Sequence, residues 1–141
     1  MHIDGGCHCG KIAYEAEVDP DMVTICHCTD CQWLSGTAFR TTVRAPAESF
    51  RMVRGEPRIY IKTAESGTQR AHAFCGDCGT PIYATSVTDQ QIFGIRLGTV
   101  RQRAELRPKK QNWCRSMLGW TMSLDALPKF DKSSGDNIRR T

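Results

Sequence analysis

The sequence predicts an all-β protein: packed antiparallel sheets, stapled by zinc, with only short helical turns. Three observations lead there. Segments of strand length with period-two alternation recur along the chain. Turn-forming residues separate them. Seven of the eight cysteines fall into three tight groups, which reads as a metal-site pattern. The length of 141 residues suits one core, placed here at 1–131, with 132–141 (KSSGDNIRRT) as a flexible C-terminal tail that has little to bury.

KIAYEAEV, 11–18, puts Ile12, Tyr14, Ala16 and Val18 on one face and charges on the other. Asp19-Pro20 then marks a turn. Thr29 to Gln32 has the form of a capping box, with Thr29 as N-cap and Gln32 as the third helical residue. A helix of one or two turns follows, ending at Ser35-Gly36. FRTTVRA, 39–45, returns to alternation through Phe39, Thr41 and Val43. Gly55-Glu56-Pro57 separates it from RIYIKT, 58–63, where Ile59 and Ile61 oppose Tyr60 and Lys62. After the Ser66-Gly67 turn, IFGIRLGTV at 92–100 reads as a further strand, whose two glycines call for a bulge or a close backbone approach. SLDALPKF, 123–130, has room for one helical turn before Pro128.

The cysteine groups are Cys7 and Cys9; Cys26, Cys28 and Cys31; and Cys75 and Cys78, with Cys114 alone. The first and third end in glycine, as CHCG and CGDCG. A metal knuckle turns backbone amides toward the sulfurs, and the residue after its last ligand needs a positive φ, which glycine adopts without steric cost. Two such halves make a closed tetrahedral four-thiolate zinc site. Cys7 and Cys9, two apart on a strand, would reach one metal together. The clamp would tie residue 7 to residue 78 and make zinc affinity part of the folding free energy.

The middle group supplies three sulfurs and no fourth cysteine nearby. A zinc with three protein ligands keeps one corner open for water or a substrate thiol, as catalytic sites do. Cys31 would lie in the first helical turn, where free amides favour a thiolate. His27 is a candidate for the corner, although it would face away from its flanking cysteines if the segment is extended, and His8 reads as surface. His72 reads as a packing or capping residue and His2 as part of a mobile terminus. Cys114, beside Trp113, reads as a half-buried strand residue, with a redox or substrate-reactive thiol as the sharper alternative.

The formal charge of +4 counts cysteine as neutral; seven thiolates on two zinc ions lower it to about +1. The charge is therefore no sign of nucleic-acid binding. The basic stretch VRQRAELRPKK, with Arg101, Arg103, Arg107, Lys109 and Lys110, reads as a solvated strand edge, or else as a landing surface for an acidic small molecule. No apolar run approaches a membrane span, and the polar start MHIDGGCHCG lacks the character of a secretory leader. A cytoplasmic protein is expected, where disulfides are rare and clustered thiols bind metal.

Three ordered motifs now resemble a known family. Gly5-Gly6-Cys7-His8-Cys9-Gly10, then Cys26 through Gly36, then Phe74-Cys75 through Thr80-Pro81 are similar to the glutathione-dependent formaldehyde-activating family, which includes centromere protein V. RSMLGW and LDALPKFD are similar to its closing segment. The resemblance implies the packed-sheet fold shared with a zinc-binding guanine-exchange chaperone. It implies a structural zinc on Cys7, Cys9, Cys75 and Cys78, and a second, catalytic zinc on Cys26, Cys28 and Cys31. It also implies a carbon–sulfur lyase activity on adducts of the S-hydroxymethylglutathione type, with a small thiol such as glutathione as partner. Members often carry histidine where this chain has Gln111-Asn112, groups that hydrogen-bond but do not exchange protons near neutral pH. Neither nucleic acid nor membrane is an expected partner, and a homodimer is compatible with the reading. The alternative is a non-catalytic zinc-binding interaction module, with zinc-releasing redox sensing behind it.

Overall fold

The computed structural model describes residues 1–134, so part of the expected tail, 135–141, lies outside the described residues. Among the described residues ten strands form two sheets. The smaller holds β1 (His2–Gly6), β2 (Ala13–Glu17) and β5 (Arg51–Arg54), in the order β1-β2-β5. The larger holds β3 (Val23–Cys26), β4 (Arg40–Pro46), β6 (Arg58–Thr63), β7 (Gln69–Phe74), β8 (Pro81–Ser86), β9 (Ile92–Arg96) and β10 (Lys110–Asn112). Its order is β10-β3-β4-β9-β8-β7-β6. Every pairing is antiparallel except β10 with β3, which is parallel.

The core lies between the sheets. The predicted face of β2 is buried, with Ile12, Tyr14, Ala16 and Val18 packed against Val43, Ala45, Ile82 and Ile95 of the large sheet. Stacked rings extend it: Tyr14 on Phe50 and Phe50 on Phe93, with Tyr83 edge-on to both phenylalanines. Burial at this scale is the main favourable contribution to folding.

Several local expectations are corrected. The α-helix α1 (Thr29–Ser35) is capped by Cys28 and not Thr29; the Cys28 sulfur accepts from the Cys31 amide at 3.3 Å, the role assigned to the hydroxyl. The strand expected over 92–100 stops at Arg96 and gives way to a 3-10 turn, Leu97–Thr99. The close approach foreseen at its glycines is real at Gly94, where a Cβ would stand 3.0 Å from the Thr42 methyl. Ile59 and Ile61 remain 47% and 44% exposed, because β6 is the edge strand of the larger sheet. His2 is paired within β1 and is not part of a loose end. The basic stretch is mostly a 3-10 turn and coil; Lys110 alone of its five cations enters a strand.

Candidate functional site

Two cysteine clusters form, one at each place the spacing indicated. The sulfurs of Cys7, Cys9, Cys75 and Cys78 all lie within 4.8 Å of one another. Cys7 and Cys9 sit in the turn after β1, not on a strand, and that turn brings their sulfurs to 3.6 Å. Cys9 and Cys75 are 3.7 Å apart. A zinc–sulfur bond of about 2.3 Å sets tetrahedral edges near 3.8 Å, so the cage fits such an ion. The knuckles are built as expected. Gly10 has φ +83° and Gly79 φ +80°, while the Ile12 amide donates to the Cys7 sulfur at 3.2 Å. The Thr80 hydroxyl and nearby amides hold the Cys78 thiol down at about 5. The Lys11 amide pulls Cys9 down, but burial and the neighbouring thiols push it up to about 11.

The second cluster joins Cys26 at the end of β3, Cys28 at the helix cap and buried Cys31 in α1, again with sulfurs within 4.8 Å. Here the expected thiolate is misplaced. Hydrogen bonding from Cys31 lowers Cys26, while the same partnership and burial raise Cys31 against the pull of Arg40. The two sulfurs compete for one proton, and a metal ion bound between them would take its place. Three thiolates and no further ligand among the described residues fit an ion with an accessible corner.

His27 is not a ligand. Its ring is 1% exposed and points away from the cluster, donating from Nε2 to Gln111 Oε1 at 2.7 Å. This leaves its buried Nδ1 without a partner. Gln32 donates to the carbonyls of His27 and Ser116, at 2.9 and 3.0 Å, so it fastens the cysteine loop to the C-terminal turns. Ser35 bonds around the end of α1, while Trp33 is 86% exposed. Cys114 is exposed in a 3-10 turn, not half-buried in a strand. His8 is exposed, as foreseen.

What the linear reading missed is a cationic cleft beside the trio. A cavity of about 270 Å³ is lined by Cys26 and Cys31 together with Arg40, Arg44, Arg70 and Arg96, and Lys110 reaches its rim. The Arg40 guanidinium donates to the Cys31 sulfur at 3.0 Å. Arg96 is only 9% exposed, yet among the described residues its hydrogen bonds go to Thr42 Oγ1 and His72 Nδ1 and to no carboxylate. Burial, with Arg40 and Arg70 nearby, pulls it down to about 9. Such a charge is the natural counterpart of an anionic ligand. Arg101 meanwhile pairs with Asp4 at 2.8 Å, and of the five cations in the basic stretch Lys110 lines this cleft.

A family model described as glutathione-dependent formaldehyde-activating enzyme matches residues 2–116. Among solved structures, the crystal structure of a Rhodobacter sphaeroides protein is similar with a TM-score of 0.60 at 20% identity, over 77% of this chain and 99% of that one. At that identity the likeness speaks for the fold. No curated protein matches.

Proposed function

The chain belongs to the glutathione-dependent formaldehyde-activating family, and from that premise we propose that it is a zinc-dependent carbon–sulfur lyase-type enzyme acting on thiol–aldehyde adducts. The observation that carries this reading is the opening of the Cys26–Cys31 corner onto the four-arginine cleft. Cys7, Cys9, Cys75 and Cys78 would hold a structural zinc, and Cys26, Cys28 and Cys31 a catalytic one. Zinc bound at the trio supplies a Lewis-acidic centre that keeps a thiol deprotonated near neutral pH.

The chain's own residues do the rest. Arg44, Arg70 and Arg96 receive the carboxylates of a thiol such as glutathione and set its sulfur beside Cys26 and Cys31. Arg40, against Cys31, offsets negative charge gathered on the sulfurs. The substrate sulfur adds to the aldehyde carbon: a carbon–sulfur bond forms, the carbonyl π pair moves to oxygen, and oxygen takes the proton the thiol gave up. Lyase action is the reverse. Gln32 and the His27–Gln111 pair keep the cysteine loop in place throughout.

Cys28→Ser tests the reading. A folded variant is expected to lose the zinc-dependent acceleration of glutathione–formaldehyde exchange, followed by NMR; undiminished exchange defeats the reading. A second reading, a zinc-bound interaction module, draws on exposed Trp120, Met122 and Phe130, at 57%, 71% and 62%. It requires two equally inert metals and no exchange activity. Among the described residues no helix is long and apolar enough to cross a membrane.

A further inference from the structure

We propose that the aldehyde this chain handles carries an apolar, ring-sized body, seated in a second cavity beside the cysteine corner; this rests on the thiol–aldehyde reading above. The cavity has a volume of about 330 Å³, and Leu34, Tyr60, Phe74 and Pro81 line it together with His72 and Arg96. Formaldehyde has two heavy atoms and would leave most of that space to water. An aromatic or branched aldehyde would fill it against aromatic residues and a leucine.

Three contacts join this cavity to the chemistry. Leu34 lies three residues after Cys31, on the same side of α1. Arg40 lines both this cavity and the anion cleft, and it touches the Cys31 sulfur. Arg96 bridges the two spaces: Nη1 donates to Thr42 on the cleft side at 3.3 Å, and Nη2 donates to His72 Nδ1 on the cavity side at 3.2 Å.

That last bond also fixes His72. Because Nδ1 accepts, the ring's proton stands on Nε2. Burial and the surrounding cations, Arg96, Arg40, Lys62 and Arg70, hold the ring neutral. A neutral imidazole donor and the guanidiniums of Arg40 and Arg96 thus share the chamber with its apolar side chains, and none of the residues lining it carries a carboxylate. They suit a carbonyl oxygen at the end of an apolar body, with the thiol's carboxylates held on the far side of Arg96.

The test uses the full-length, zinc-loaded protein. Benzyl alcohol, an unreactive stand-in for benzaldehyde, is titrated while the Leu34 methyl and His72 ring signals are followed by NMR, with methanol as control. Saturable shifts with benzyl alcohol and none with methanol are expected. Exchange NMR then compares glutathione adducts of benzaldehyde and formaldehyde; at least about a tenfold preference for benzaldehyde is expected. Tyr60→Ala, at an edge position 53% exposed, should narrow that preference without unfolding the chain. No saturable shift, or a preference for formaldehyde, overturns the proposal. If benzyl alcohol binds and no aldehyde exchanges, the reaction reading falls and the cavity remains a site for apolar ligands.

Discussion

Replacing Arg96 by methionine should move ligand binding and folding in opposite directions. The side chain is 9% exposed and has no carboxylate partner among the described residues. Burial, Arg40 and Arg70 draw its guanidinium from 12.5 to about 9. At 1.36 kcal/mol per pK unit, that places the folded state's cost of holding the charge at up to about 5 kcal/mol. The sign follows from the lowered value. At pH 7 both states are protonated and the full cost stands; it is relieved only as pH rises from about 9 toward 12.5. Methionine removes that cost and forfeits two hydrogen bonds worth about 1 kcal/mol each. The metal-loaded, ligand-free variant should therefore melt no lower than its parent. Glutathione binding should suffer instead. A lost charge-assisted hydrogen bond of about 1.5–3 kcal/mol weakens it roughly 10- to 150-fold. Scanning calorimetry and isothermal titration read the two quantities separately. A variant that melts several degrees lower yet binds glutathione as tightly would refute the reasoning and make Arg96 a purely structural residue.

Three further outcomes are expected. The protein should carry two zinc ions per chain, and a colorimetric chelator should withdraw them in two phases, the Cys26–Cys28–Cys31 ion first; a single phase would remove the distinction between open and closed sites. Gln111→Leu leaves both nitrogens of buried His27 unpaired and should cost about 1–3 kcal/mol in urea unfolding, with Gln111→Glu recovering part of the loss. His72 is lowered from 6.5 to about 3, chiefly by burial, so the unfolded chain takes up its proton first as pH falls. Stability should decline from near pH 6.5 toward pH 3, and His72→Phe should lose that component of the decline when urea midpoints are compared at pH 7 and pH 4.

The cysteine positions were legible because the metal-knuckle requirement is local. A sulfur pair, its amides and a left-handed residue occupy four or five consecutive positions, and glycine at 10 and 79 announces the geometry. β2 was legible for the same reason, since Ile12, Tyr14, Ala16 and Val18 alternate without interruption. Other strands carry weaker local signals. β7 buries Ala71 and Ala73, which have little strand preference, and β8 begins at Pro81. β10 is polar throughout and exists because it lies along β3, with Gln111 reaching His27. The helix start was misplaced by one residue, because a thiol took the capping role that sequence rules reserve for hydroxyls and carboxylates.

The arginine-lined cleft could not be read linearly, since it is a property of the sheet face. Cys26 stands opposite Arg40, and Thr24 opposite Thr42, which stands opposite Arg96. The next row runs across five strands as Arg44, Gly94, Ala84, His72 and Tyr60. Period-two alternation sends the apolar neighbours Val43 and Ile95 to the core and leaves these rows on the opposite face. Each arginine looks in sequence like an ordinary exposed strand residue, and only strand order gathers four of them around two cysteines. The division has a chemical consequence. On the proposed reading the cysteine loops would determine which ion is held, and the facing rows of β4, β7 and β9 which ligand approaches it. Gly94 sits at the crossing of those rows, where a side chain would meet the Thr42 methyl and narrow the cleft beside Arg96. Substrate preference in this chain should therefore follow residues of the sheet face while metal content stays with the cysteines.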